Sequence, residues 1–163
     1  MITDTETGLR LDAGFVRYRE GAFIEARDAT ADTADGSLVA PELRIDVPTL
    51  IATAPAGVRY VRDGLELVAA SAELRFGPEL VRFEHPTGAS LDLEARALLL
   101  DLRTGDALLL GPYRFQDGPF ILSDDREDAV LQLRPVTTDA GTPTYRAANE
   151  VDEDLWTRMA PVR

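Results

Sequence analysis

The feature that most constrains this chain is internal repetition. Three segments, 64–76, 88–101 and 118–130, align on their own residues: each opens on a glycine, continues as an alternating apolar strand, passes through small alanines and enters a second strand. A fourth, 21–31, matches more loosely through Gly21, Phe23, Ala26, Ala29 and Ala31. Linking strands follow, as at 80–83 and 108–115. One strand pair cannot bury its apolar face alone, so successive units lay theirs over one another. The spacing is irregular, 24 residues from Gly64 to Gly88 and 30 from Gly88 to Gly118. That irregularity disfavours a strict β-helix and predicts an all-β fold: an elongated antiparallel jelly-roll, or taco-like sandwich, with turns of variable length.

Alternation supports the strands individually. Leu91, Leu93 and Ala95 fall on one face of a period-two segment, and Asp92, Glu94 and Arg96 on the other. The same pattern runs through 9–13, 43–47, 58–61, 65–69, 80–83, 113–115 and 131–133. Pro41, Pro48, Pro55, Pro78, Pro86, Pro112 and Pro119 sit mostly beside glycines or at run ends, where a missing ladder donor matters little. The alanine-rich 25–35 could be drawn as a helix, but Thr30, Asp32 and Thr33 dilute its propensity and no stripe recurs at three and four, so it reads as strand plus turn. The better helix candidate is 151–159, where Asp152, Glu153 and Asp154 suit a helix N-terminus. The organisation expected is a repeated-strand domain over 1–135 and a tail over 136–163. Within that tail 136–143, rich in Thr, Gly and Pro, reads as loop, and 149–163 as either a docked helix or disorder.

Composition removes several function classes. The chain has 163 residues, 45% of them hydrophobic, enough for one domain to fold without covalent staples. With no cysteine, disulfides, thiolate nucleophiles and Cys-ligated zinc are absent together. The net charge of −12 opposes any binding mode built on neutralising phosphates, which argues against nucleic acid as a partner. All 17 basic residues are arginine, a bias that a GC-rich genome explains as well as selection for bidentate pairing does. No apolar run approaches the length of a transmembrane helix. The N-terminal residues lack the basic start and apolar core of a secretory signal, so either the protein stays in the cytoplasm or a leader has been removed.

The residues that could carry chemistry each have a plainer reading. His85 is the lone histidine, in a Phe-Glu-His-Pro-Thr-Gly turn, without the partners a general base or metal site needs. The acidic stretch 124–128 could offer oxygens to calcium, but it lacks the spaced calcium-loop pattern and carries Arg126 in its middle, as a solvated turn would. Asp92 and Glu94 invite a glycosidase reading, which needs two acids across a groove, yet the alternation makes them the wet face of a strand. Phe76, Phe83, Tyr113, Phe115 and Phe120 could line an acyl-chain groove or pack a core. Trp156, the single tryptophan, could anchor the acidic tail on the sheet or on a partner. No enzyme, cofactor or metal site is expected.

The repeat over 64–83 and 88–125 resembles the OstA-like lipopolysaccharide-transport periplasmic β-jelly-roll family, in which a strand, an alanine-containing turn and a second strand recur. The match is strongest over 93–111 and 115–122, with 21–47 as a weak extension. The resemblance implies an open β-jelly-roll whose interior shelters the acyl chains of a lipid or other amphiphile. It also implies edge-to-edge pairing, by β-augmentation, with itself or with related jelly-rolls in a bridge between envelope membranes. The interior expected to contact lipid comprises Leu65, Leu67, Leu74, Phe76, Leu91, Leu93, Phe115, Phe120 and Leu122. The same resemblance implies a periplasmic or envelope location. The competing reading is a structural or protein-interaction scaffold with a closed core and no ligand; an acidic-groove carbohydrate enzyme ranks third.

Overall fold

The computed structural model describes residues 2, 3, 10–34 and 36–163. Leu9 of the predicted alternating run 9–13, and most of the N-terminal stretch before it, lie outside the described residues. The elements are β1 (Ile2–Thr3), β2 (Arg10–Arg19), β3 (Phe23–Thr33), β4 (Gly36–Asp46), β5 (Ile51–Ala54), β6 (Val58–Arg62), β7 (Leu65–Ala69) and β8 (Ser71–Arg75). They continue as β9 (Leu80–Glu84), β10 (Thr87–Gly88), β11 (Leu93–Asp101), β12 (Ala107–Asp117), β13 (Phe120–Asp124), β14 (Val130–Thr137) and β15 (Pro143–Ala147), followed by α1 (Glu153–Arg158) and a 3-10 turn, Ala160–Val162. The alanine-rich stretch is strand, as its diluted helix propensity predicts. Three of the repeat glycines, Gly21, Gly64 and Gly118, take φ of +65°, +77° and +60° in the turns that lead into β3, β7 and β13, a conformation glycine adopts without a Cβ clash. Gly88 instead lies inside β10.

Every strand pairing is antiparallel, and the long strands serve two layers at once. β4 pairs with β5 through 44–46 and with β6 through 37–39. At the far end β11 pairs with β9 through 97–101 and with β10 at Glu94. Between them β5, β8 and β9 form one layer and β6, β7 and β10 the other. Tyr60 and Phe83 join the layers, their ring centroids 5.2 Å apart.

What bends each long strand from one layer to the other is a row of aligned irregularities. The ladders β2–β3–β4 pass over Gly14, Asp28 and Pro41, pairing Ala13, Ala29 and Ala40 on one side and Phe15, Arg27 and Glu42 on the other. Asp28 takes φ +50°, a left-handed conformation that a short polar side chain tolerates best after glycine. On β11–β12 the register shifts between Ala95 and Ala97, opposite Gly111 and Pro112, whose peptide bond is cis. His85, at φ +48°, continues the row: its N–H donates to the Arg96 carbonyl at 2.8 Å. These residues mark a crease that runs across the strands, the closed side of the taco.

The interior between the layers is one apolar cluster that includes Leu43, Tyr60, Leu67, Phe83, Leu93 and Phe115. A second cluster lies on the outer face of β9, β11 and β12, where Leu80, Ala97, Leu99, Leu108 and Leu110 are covered by Leu155, Met159 and Val162 of the C-terminal segment. Burial on both faces explains why 97–100 and 107–110 read as unbroken Ala-Leu-Leu-Leu runs rather than alternating ones. Helix α1 begins where the acidic residues predict: the Asp152 carboxylate accepts from the N–H groups of Asp154 and Leu155. Arg158 in its last turn donates to the fully buried Asp101 carboxylate at 3.2 Å, and Arg82 donates to the Val162 carbonyl at 2.9 Å. Trp156 is half-buried in this contact, with the Arg163 guanidinium 4.1 Å from its ring centroid.

One expectation is corrected. The segment 136–143, read as loop, contains the end of β14 and the start of β15, which pair from Leu133↔Ala147 to Thr137↔Pro143. The Thr- and Gly-rich residues are confined to the turn at 138–142, closed by the Thr138 N–H on the Thr142 carbonyl at 2.9 Å. Residues 135 and 136 are consecutive within β14, so the sheet crosses the expected boundary between repeat domain and tail.

Candidate functional site: an apolar slot and the lip above it

Opposite the crease, the two layers end in separate sets of turns, and between them lies an apolar slot of about 50 Å³. Small side chains create it: Ala31, Ala52, Ala54 and Ala72 stand on its walls where a leucine would fill the space, with Leu38 and Leu74 beside them. A water occupies roughly 10–15 Å³ on this measure, so the slot as it stands admits only a few methylene-sized groups. Along the lip an open cleft of about 850 Å³ runs between residues 32–34, 36–37 and 61–66 of one layer and residues 104–105, 135–137 and 143 of the other. Thr33 and Gly36 line both spaces. Gly36 is held close, since a Cβ there would come within 2.8 Å of the Tyr60 Oη and of the Val61 carbonyl oxygen.

Tyr145 buttresses the cleft floor by donating to the Gly105 carbonyl at 2.9 Å from a buried position. Burial pushes its phenol up to about 12. A raised acid of this kind contributes stability that is complete below the ordinary phenol value of about 10 and is lost as pH rises through 12. Tyr145→Phe is expected to lower stability by about 1 kcal/mol at neutral pH and to remove the late step from a spectrophotometric tyrosine titration; a titration unchanged by the substitution counts against this placement.

The residues expected to contact lipid separate into groups. Leu65, Leu67, Leu93 and Phe115 are fully buried in the interlayer core, away from the slot walls. Leu74 and Phe76 line the slot. Leu91 and Leu122 are half-buried against the same core. Phe120 is not interior at all: it is 68% exposed. It pairs with Asp117 at the tip of the β12–β13 hairpin, and among the described residues β13 pairs with β12 alone, so the ring projects beyond the last core residue of that ladder, Phe115. Of the slot alanines, Ala31 and Ala72 lie within the repeats, where small residues recur, whereas Ala52 and Ala54 lie outside them and leave no mark in a pattern of large apolar residues.

The other candidate groups have structural partners. His85 is an exposed bend residue of the crease. Asp92 is ion-paired with Arg114, whose hydrogen bond holds the carboxyl below its usual range, and Glu94 is exposed on the same outer face. In the 124–128 turn Arg126 folds back on Asp124 through its backbone N–H at 3.0 Å and its guanidinium at 2.8 Å. These bonds bring the Asp124 carboxyl down to about 2. The stability it contributes is present above the unfolded value near 4 and is lost as pH falls through 2. Arg126→Ala is expected to return the Asp124 titration, followed by carboxyl NMR shifts, towards 4; a value that stays near 2 means that Arg126 is not the cause. Among the described residues no group of three or more acidic or histidine side chains is placed to hold a metal ion, and no helix is long and apolar enough to cross a membrane.

Among the described residues, both ends of the sheet carry edge strands. Within them β1 pairs with β2 at Arg10 and Leu11, and Phe15 and Tyr18 further along β2 are exposed. At the other end β13 presents Phe120 and Ile121. Unpaired edges with apolar side chains are templates for another strand.

The fold and its slot define a class: an open antiparallel β-jelly-roll with a two-layered apolar interior and free strand edges. No protein-family model matches the chain, and no curated protein matches it in sequence. Among solved structures, the chain is similar to LptH of Pseudomonas aeruginosa, the LptA-homologous periplasmic component of the lipopolysaccharide transport device. The TM-score is 0.51 at 9% identity, over 92% of this chain and 100% of that one, a likeness of fold.

Proposed function

We propose that this protein is a non-enzymatic carrier or bridging module of a bacterial envelope, sheltering lipid acyl chains between its two layers and joining other jelly-rolls through its edges. The observation that carries the reading is the alanine-walled apolar slot that continues into the open lip. An interior meant only to be closed would be filled, because voids of this kind forfeit packing. Entry of a whole chain requires the layers to part along the lip, with the crease as the hinge. The exposed Phe15, Tyr18, Phe120 and Ile121 support edge pairing, in which main-chain hydrogen bonds extend the sheet from one molecule to the next. The likeness to LptH supports a periplasmic or envelope location. The competing reading is a scaffold that uses its edges alone.

Native mass spectrometry of protein purified without detergent, with organic extraction of bound species, tests the proposal. A co-purified amphiphile is expected, and its occupancy should fall about tenfold in Ala31→Leu and Ala72→Val, which fill the slot and keep the fold. A clean apo mass, with no uptake of added lipid, removes the carrier reading and leaves the scaffold.

A further inference from the structure

The head group of the amphiphile can be read from the lip, taking the carrier reading as its basis. The lip cleft is lined by hydroxyl-bearing side chains, Thr33, Ser37, Ser90, Thr104, Thr137 and Tyr145, and by the carboxylates of Asp32, Asp63 and Glu66. Arg62 is the one cation lining it among the described residues, with one of its five donors, on Nη1, taken by the Leu102 carbonyl at 2.8 Å. Arg59 stands behind Glu66 in an ion pair, and Arg103, near the rim, lies 3.5 Å from Glu79 and 3.8 Å from Asp101. The cleft is therefore acidic overall and rich in hydroxyl groups.

A phosphate head group placed here would meet the three carboxylates of Asp32, Asp63 and Glu66 against the single guanidinium of Arg62, and like charges repel most strongly where water is partly excluded. A sugar has the opposite fit. Its hydroxyls donate to carboxylates and exchange hydrogen bonds with serine and threonine, and such charge-assisted bonds are the stronger kind. A cleft of about 850 Å³ is also within the range of sites that hold ligands of this size. We infer that the lip binds an uncharged glycolipid, its sugar among the hydroxyls and carboxylates of the cleft and its acyl chain reaching the slot when the layers part, past the Thr33–Gly36 pair whose hydrogen bond of 3.2 Å stands between the two spaces.

The test is a matched pair of lipids with identical acyl chains, monogalactosyl diacylglycerol and phosphatidic acid, offered to the full chain from neutral phosphatidylcholine vesicles. Uptake is read by native mass spectrometry at low and at physiological salt. The galactolipid is expected to bind at least about tenfold more tightly at low salt, with the ratio shrinking as salt screens the carboxylates. In the double variant Asp32→Asn, Asp63→Asn the ratio should fall about tenfold, while a folded control, the exposed Asp125→Asn beside His85 and Pro112 at the crease, leaves it unchanged. Phosphatidic acid binding as well as the galactolipid overturns the head-group assignment and leaves the carrier reading standing. A ratio insensitive to the double variant overturns the assignment of the discrimination to this cleft. Uptake of neither lipid overturns the carrier reading and this inference with it.

Discussion

Phe115→Ala is expected to lower the free energy of unfolding by about 3–5 kcal/mol, the range for emptying a fully buried aromatic site. Phe115 is 0% exposed, it pairs directly with Leu93 on β11 and Leu122 on β13, and it sits where the two layers meet near the crease. The surrounding Leu93 and Phe83 are themselves fully buried, so little can collapse into the space. Urea unfolding should show a lower midpoint with an unchanged slope. The same measurement on Phe120→Ala, at an exposed hairpin tip, should move stability by no more than about 0.5 kcal/mol. Equal losses at the two positions would falsify the division drawn here between core and edge aromatics.

Gly111→Ala is the second large effect. A Cβ on Gly111 would lie 2.2 Å from the Arg126 carbonyl oxygen and 2.8 Å from the Ala129 Cβ. Neither is the end of a flexible side chain, and Gly111 also donates its N–H to the Ala129 carbonyl at 2.8 Å, so relief requires moving the 126–129 segment away from β12. A loss of about 3 kcal/mol, the upper part of the overpacking range, is expected. At this chain length that corresponds to a fall of about 6–12 °C in Tm by differential scanning calorimetry. Gly77→Ala is the matched control: nothing lies within 4 Å of its added Cβ and its φ is not positive, so its Tm should hardly move. A small shift for Gly111→Ala would mean that the segment after β13 yields more easily than its contacts imply.

The architecture was legible in the sequence because alternation and turn glycines are local signals, and three of the four repeat glycines lead a strand as hairpin turns. Local signals fail where the cause is distant. Gly14, Asp28 and Pro41 each resemble an ordinary turn or strand-end residue, and only pairing across β2, β3 and β4 reveals one shared bend. The alternation that placed Phe120 on the inner face was sound, but nothing in it says where the opposing layer ends. The Thr-Gly-Pro content of 136–143 reads as loop, but the structure confines the turn to 138–142 and embeds it in a hairpin that extends the sheet. For the site, period two marked the large apolar positions, of which Leu65, Leu67, Leu93 and Phe115 are closed core and Leu74 and Phe76 slot wall. The slot is made by what is missing from Ala31, Ala52, Ala54 and Ala72, and side-chain absence leaves only a faint mark on a hydrophobicity pattern.

The crease also fixes how the molecule can come apart. Because β3, β4, β11 and β12 each run through it, no cut between neighbouring strands separates one layer from the other. Melting either layer removes half the ladder partners of the same strands that hold its counterpart, so the two must be lost together in a single cooperative transition, with only the outer hairpins free to fray beforehand. Hydrogen exchange should therefore find one shared opening energy for amides on both sides of the bend. The hinging proposed for the carrier would take place within a single folding unit.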